Sequence, residues 1–155
     1  MAAPSPQQRL DLVLDLQVEL EKLDRLVESL AGLGAVEGDG LRVDAAALRL
    51  QSLYTGIERC LLQITRVLNG GTPDGGDWHR RLLERMGHAT SERPPVLSAP
   101  SITGLQELLR FRHLLRHLYA CELQPEPVER LRLLSLSLWP GVREELGGFQ
   151  RWLRL

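Results

Sequence analysis

Apolar residues recur at alternating intervals of three and four along most of this chain, and that spacing limits its fold more than any other feature. One series is Val13, Leu16, Leu20, Leu23, Val27 and Leu30, and another is Ala46, Leu50, Leu53, Ile57, Cys60, Ile64 and Val67. Residues three and four apart share one face of an α-helix, whereas a half-buried strand needs alternation in steps of two. Since no alternating run of β-branched residues is present, the sequence predicts an all-α fold.

Glycine-rich segments and capping residues divide the first half of the chain into three helices. The spacing predicts a first helix from about Gln7 to Leu33, which GLGAVEGDG interrupts. A second helix is predicted to start near Asp44, a plausible cap, and to stop at NGGTPDGG. A short third helix follows from Asp77 and stops at Gly87.

The second half begins with residues 88–100, HATSERPPVLSAP, which we expect to form an extended connector. Thr103, with Gln106 three residues later, resembles a capping box that opens a fourth helix. Because Pro125 cannot continue a helix, this fourth helix is predicted to end by Leu123.

Prolines also set the expected limits of the remaining helices. Pro127 suits the first position of a fifth helix, and Pro140 is predicted to separate it from a final one. Long helices joined by short connections predict an up-and-down bundle of four to five main helices, in a single domain over residues 1–155.

Charge and composition exclude several classes of protein. The net charge is only −1, with five basic and nine acidic residues in 1–50 and eight basic and six acidic residues in 101–155, so any anion site is local. No apolar run is long enough to span a membrane, and MAAPSPQQRL lacks an apolar signal core, so we expect a cytoplasmic protein. Cys60 and Cys121 lie among leucines and are expected to be buried apolar residues.

The segment LLRFRHLLRHLYACEL, residues 108–123, combines the leucine spacing of a buried helix with an unusual amount of positive charge. On a helical wheel one face carries the polar residues Arg112, His113, Arg116, His117 and Tyr119. The other face carries Leu108, Phe111, Leu114, Leu115 and Leu118. Like charges four residues apart disfavour a helix, so this patch does not serve stability.

Two more leucines fall on the polar side of the same helix. Leu105 and Leu109 extend that face toward the N-terminus with apolar side chains. A face that is leucine at one end and basic at the other predicts a contact between two subunits that opens into a cleft. A local anion site fits these residue types best.

Three interpretations of the patch compete. In the first, the arginines are solvated or pair with carboxylates on the acidic first helix. In the second, His113 and His117 bind a metal, but Leu114 occupies the place of the glutamate in the zinc-protease motif and the neighbouring arginines repel a dication. In the third, a histidine takes the proton of a ribose 2′-hydroxyl and an arginine stabilises the charge on the adjacent phosphate, so that RNA is cleaved without metal.

The stretch from Arg112 to Tyr119 resembles the R-x4-H-x-Y motif of HepT, the HEPN-domain ribonuclease toxin of HepT/MNT toxin–antitoxin systems. HEPN proteins carry an arginine, a polar residue, three further residues and a histidine, and Arg112, His113 and His117 fill those places without a gap. The segments WHRRLLERM and RPPVLS are also similar to the HepT-like group.

This resemblance implies a HEPN-like bundle that dimerises through the motif-bearing helix. Each subunit then contributes catalytic Arg112 and His117 to one shared cleft, and His113 and Arg116 bind RNA. The implied activity is that of a metal-independent endoribonuclease toxin of a type II system, with transfer RNA as one type of substrate and no cofactor. Trp78, His79 and Arg80 match a family segment to which we assign no role from sequence.

The resemblance also implies a partner, the minimal nucleotidyltransferase (MNT) antitoxin. In this family the antitoxin silences the toxin by attaching AMP to the motif tyrosine, here Tyr119. Two other functions stay open at this point. One is a non-catalytic HEPN-like dimer that binds RNA or nucleotide, and the other is a helical interaction protein whose basic patch docks on an acidic partner.

Overall fold

The computed structural model describes residues 2–68, 70–119 and 122–155, and within these ranges the chain forms five α-helices and no β-strand. In chain order the helices are α1 (Pro6–Gly32), α2 (Gly40–Val67), α3 (Trp78–Met86), α4 (Ala99–Leu115) and α5 (Pro125–Leu153). The prediction of an all-α bundle of four to five helices is therefore confirmed.

The starts of α1 and α2 are set by side-chain caps. Ser5 and Gln8 form a reciprocal capping box at the start of α1. For α2 the cap is Asp39, whose carboxylate accepts hydrogen bonds from the amides of Leu41 and Arg42. The predicted cap, Asp44, was wrong: it lies inside the helix, because Asp39 begins α2 before the apolar spacing becomes visible.

Helix α4 also begins earlier than predicted. Its cap is Ser98, whose hydroxyl accepts from the amide of Ser101. Pro100 lies in the first turn, where a missing amide proton costs nothing. Thr103 does not cap the helix as predicted. Its hydroxyl donates to the carbonyl of Ala99 one turn earlier.

Helix α5 is one continuous helix, so the predicted interruption at Pro140 was wrong. It begins at Pro125 rather than at Pro127, and both prolines lie in its first turn, where no amide donor is needed. Pro140 lies on the exposed side of the helix, where water can satisfy the backbone that its ring displaces. Buried Trp139 and Val142 on either side hold both halves of the helix to the core.

Helix α2 lies at the centre of the bundle and contacts all four other helices. Two glycines let helices approach closely: a Cβ on Gly56 would lie 2.5 Å from Leu23 of α1, and one on Gly104 would lie 2.7 Å from Leu138 of α5. The core includes Leu16, Leu20, Leu50, Leu53, Ile57 and Ile64 of the predicted apolar series. It also includes Leu61, Leu105, Val142 and Leu146.

Two further expectations bear on the described residues. Cys60 is buried, as predicted, and Cys121 lies outside the described residues. None of the helices in the described ranges has the length and hydropathy that a bilayer-crossing segment requires.

Candidate functional site

The C-terminal end of α4 carries the residues of the motif, but the helix stops at Leu115 and not near Leu123 as predicted. Past this point the amides of His117 and Leu118 donate to carbonyls only three residues back, at 3.0 and 3.4 Å. Arg112 and His113 therefore lie in the last helical turn, and His117 and Tyr119 lie beyond it. The expectation of one helical face that carries all five polar residues is wrong after Leu115.

Local chemistry explains this early end. Continued helix would stack Arg112 under Arg116, a pair of guanidiniums that destabilise one another. The chain must also reverse direction before α5. The reversal is stabilised at Tyr119, whose amide donates to the Glu122 carboxylate at 3.3 Å.

Arg112 is the most confined member of the motif. Its side chain is 13% exposed, and its Nη1 lies 3.8 Å from Oε1 of Glu58 on α2. That distance allows electrostatic attraction but is too long for a hydrogen bond. Among the described residues, Nε and Nη1 are buried and have no hydrogen-bond partner, while the guanidinium lies 5.8 Å from the ring of Tyr54. The group is held in place with part of its donor capacity unused.

Glu58 connects the polar groups of three helices. Its Oε2 accepts a hydrogen bond from the Tyr54 hydroxyl at 2.8 Å and contacts Nδ1 of His79 at 2.6 Å, while Oε1 faces Arg112. Glu58 itself is 5% exposed. A carboxylate so far from water is costly unless it is paired, and here a guanidinium, an imidazole and a phenol compensate it.

Helix α3 places His79 against this carboxylate. The His79 ring stacks on Trp78, with 3.6 Å between ring centroids, and meets His113 of α4 edge to face at 5.6 Å. Trp78 thus supports the imidazole rather than only filling the core. Arg80, the next residue, is exposed and pairs with Asp77 and Glu84 of its own helix region.

The site shifts the pKa values of two of its groups. Burial lowers the pKa of His113 below the ordinary histidine value, and the positive charges of His79, Arg116 and Arg112 lower it further, against an opposing effect of Glu58. Burial, reinforced by the charge of Glu58, raises the pKa of Tyr54 far above the ordinary tyrosine value. His113 is therefore neutral at neutral pH, and Tyr54 is always a hydrogen-bond donor.

Tyr54, Glu58, Trp78, His79 and Arg112 form a polar cluster. A cleft of about 460 Å³ opens between α3 and α4 beside this cluster. His79 and His113 line it together with Asp77, Arg80, Glu84, Gln106, Leu109 and Arg110. Its walls therefore offer two imidazoles, two guanidiniums and two carboxylates. Both carboxylates pair with Arg80.

The other predicted site residues lie outside this cluster. Arg116 caps α4 and is exposed, His117 is exposed, and Tyr119 is 77% exposed. The structure brings Arg112 and His113 together within one chain. It leaves Arg116, His117 and Tyr119 on the surface, where another molecule can reach them.

The leucines around the motif are arranged differently from the helical-wheel prediction. Leu105 and Leu109, expected on the polar face, are buried within the chain itself, whereas Leu114, expected in the core, is 52% exposed. The argument for a subunit contact through Leu105 and Leu109 is therefore wrong. Leu108 and Phe111 are buried as predicted.

Sequence reasoning missed Glu58, which compensates Arg112 in place of a carboxylate on the acidic first helix. A signal was present, since Glu58 follows Tyr54 by four residues and precedes Leu61 by three, and both of these are buried. A carboxylate in such a row of a helix must have a buried partner. Among the described residues, no group of three or more His, Cys, Asp or Glu side chains is arranged to hold a metal ion.

Comparison with known proteins gives one match. A family model described as "HepT-like protein" matches residues 45–153, a range that includes α3, α4, α5 and nearly all of α2. No curated protein and no solved structure matches the chain.

Proposed function

Because this chain belongs to the HepT-like family, we propose that it is a metal-independent endoribonuclease, the toxin of a type II toxin–antitoxin system. Two copies of the chain form the enzyme, with the motif-bearing ends of their α4 helices around one cleft. The whole chain, residues 1–155, acts as one HEPN-like domain. It meets its substrate, cellular RNA such as transfer RNA, in the cytoplasm.

The observation that carries this proposal is the state of Arg112. Its guanidinium is fixed between Glu58 and Tyr54, yet Nε and Nη1 are buried without acceptors in the part of the chain that the structure describes. Buried donors without partners are costly, and an anion that accepts from them recovers that cost. A phosphodiester matches the two-pronged geometry of a guanidinium. Arg112 is thus prepared for a phosphate that the isolated chain does not supply.

The chemistry follows from the residue types. The imidazole of His117 takes the proton from a ribose 2′-hydroxyl, and the 2′-oxygen attacks the adjacent phosphorus. Negative charge then grows on the non-bridging oxygens, where Arg112 stabilises it without changing its own protonation. Arg116 and the neutral His113 hold the flanking RNA. His117 is exposed, and we propose that RNA and the second subunit complete its surroundings.

Control of the activity acts on Tyr119. The phenol is largely exposed, so the active site of a nucleotidyltransferase can reach it. An MNT antitoxin that transfers AMP to this oxygen adds negative charge and bulk beside the residues that bind RNA phosphate, and both changes oppose RNA binding.

Cleavage of total RNA in EDTA tests the proposed function. Wild-type protein free of AMP should cut RNA under chelation, and His117→Ala or Arg112→Ala should lower the rate by roughly 10²- to 10⁴-fold, as expected for loss of a proton-transfer or charge-stabilising group. His88→Ala is the matched control, because His88 is an exposed histidine outside the cluster. RNA left intact by the wild-type protein contradicts the proposal, and so does cleavage that EDTA abolishes.

A second function is favoured by one observation, the exposed position of His117 after the end of α4, outside the cluster that contains Arg112. This arrangement suits a HEPN-like dimer that binds RNA or nucleotide without cutting it. The same experiment separates the two functions, since RNA that is retarded in a gel but stays intact identifies the binding module. A protein that does neither fits a helical interaction protein.

A further inference from the structure

His79 has the geometry of a proton-transfer group that the R-x4-H-x-Y motif does not contain. Its Nδ1 lies 2.6 Å from Oε2 of Glu58, so the carboxylate keeps a proton on that nitrogen and fixes the ring. Within the described residues, Nε2 makes no hydrogen bond. It is also not one of the buried polar atoms without a partner, so it remains accessible. Nε2 is therefore the nitrogen that can exchange a proton.

His79 is also close to the proposed phosphate site. Its ring and the guanidinium of Arg112 contact the two oxygens of the same carboxylate, at 2.6 and 3.8 Å. Both groups therefore adjoin the same buried carboxylate. His79 in addition lines the cleft of about 460 Å³ beside His113. A leaving oxygen of RNA bound in this cleft can therefore reach this imidazole.

We propose that His79 is a further catalytic residue and donates the proton that the leaving 5′-oxygen needs, with Glu58 as the residue that positions it. This inference rests on the proposed ribonuclease function. It assigns the protonation of the leaving 5′-oxygen, a step for which His117 and Arg112 supply no group. RNA cleavage by a 2′-oxygen requires a base for the 2′-hydroxyl and an acid for the leaving oxygen.

The proton balance of the step closes with these two histidines. His117 accepts the proton of the 2′-hydroxyl as the bond between the 2′-oxygen and phosphorus forms. As the bond between phosphorus and the 5′-oxygen breaks, the 5′-oxygen takes the Nε2 proton of the His79 imidazolium, which leaves a neutral ring that keeps its proton on Nδ1. The products are a 2′,3′-cyclic phosphate and a 5′-hydroxyl end. Water then returns a proton to His79 and removes one from His117.

Sulfur substitution at the leaving atom tests this role. After the cut is mapped on total RNA, two oligoribonucleotides that span it are synthesised, one with the natural 5′-oxygen and one with a bridging 5′-sulfur. A thiolate leaves without protonation, so an enzyme that lacks its acid still cuts the sulfur substrate. The variant is His79→Asn, because the asparagine amide can keep a donor near Nδ1 for Glu58 and has no group at the position of Nε2.

We expect His79→Asn to cut the oxygen substrate roughly 10²- to 10⁴-fold more slowly and the sulfur substrate at nearly the wild-type rate. Retained cleavage of the sulfur substrate also shows that the variant is folded. His88→Asn should cut both substrates normally. Equal loss on both substrates means a structural role and overturns the inference, and unchanged rates on both overturn it as well. In either case the wild-type enzyme still cuts. If the wild-type protein cuts neither substrate, the ribonuclease function itself fails and the role of His79 fails with it.

Discussion

Two buried arginines of this chain have opposite environments, which separates a structural from a functional residue. Arg132 of α5 donates from Nε and Nη2 to both oxygens of Glu129, each at 2.8 Å. Glu129 also accepts from the amide of Val36, so the pair ties α5 to the connection after α1. Arg112, by contrast, has a carboxylate only at 3.8 Å and keeps unused donors. Arg132 is bound within the fold, whereas the buried donors of Arg112 have no acceptor among the described residues and can bind a ligand once they become accessible.

Glu129→Gln should destabilise the protein by about 3 kcal/mol at neutral pH, because it leaves the buried charge of Arg132 without its partner. The hydrogen bonds from Arg132, together with that of Val36, lower the pKa of Glu129 below its ordinary value of 4.5. The stability that this shift contributes is present above pH 4.5 and is lost as pH falls through the lowered pKa in the folded state.

Urea unfolding of the wild-type protein and of Glu129→Gln between about pH 3 and 7 measures this effect. The difference in the free energy of unfolding between the two proteins should narrow at the acid end. Arg130→Gln is the control, since Arg130 pairs with Glu107 on the surface and its loss should cost at most about 1 kcal/mol. Equal losses in Glu129→Gln and Arg130→Gln would contradict the distinction between the two pairs.

At the scale of helices, local patterns predicted where elements exist better than where they end. The apolar spacing and the glycine-rich breaks were sufficient to predict the position of α1 and the length of α3. The end of α4 at Leu115 was not predictable, because leucine spacing continues to Leu118 and no glycine or proline intervenes before Pro125. The continuity of α5 through Pro140 was missed because core packing on both sides outweighs the tendency of proline to end a helix. The motif residues of the site could be identified from the sequence. Glu58 could be identified only from its tertiary contacts.

The early end of α4 leaves Arg116, His117 and Tyr119 exposed, and Tyr119 should be the modified residue of the motif. Co-expression with an MNT antitoxin should raise the intact mass by whole AMP units. Tyr119→Phe should show no increase, because the other tyrosine, Tyr54, is buried and bonded to Glu58. Intact-mass spectrometry checks this result. The same mass increase in Tyr119→Phe would remove Tyr119 from the proposed control of the toxin.

At the scale of the molecule, the isolated chain looks incomplete at one end. The bundle buries its core around α2, yet the end of α4 exposes Leu114 and Tyr119 and leaves donors of Arg112 unused. Leu114 and the buried donors of Arg112 point to opposite faces of α4, so only the exposed side chains can meet the proposed second subunit. We therefore place the interface of the proposed dimer at the C-terminal turn of α4, and not at the buried Leu105 and Leu109.

Leu114→Glu should convert a dimer into a monomer, because it puts a charge at the centre of this proposed interface, and RNA cleavage should fall with it. Light scattering coupled to gel filtration measures the mass. Leu133→Glu is the matched control, since Leu133 is a leucine of similar exposure (54%, against 52% for Leu114) on α5. A wild-type monomer, or a Leu114→Glu variant that stays dimeric and active, contradicts this interface.

The residues of the polar cluster come from three helices that are far apart along the chain. Tyr54 and Glu58 lie on α2, Trp78 and His79 lie on α3, and Arg112 lies on α4. A nascent polypeptide still on the ribosome holds no assembled site until α4 has emerged and packed against α2 and α3. For the ribonuclease proposed above, this order delays RNA cleavage until all three helices have been synthesised and packed together.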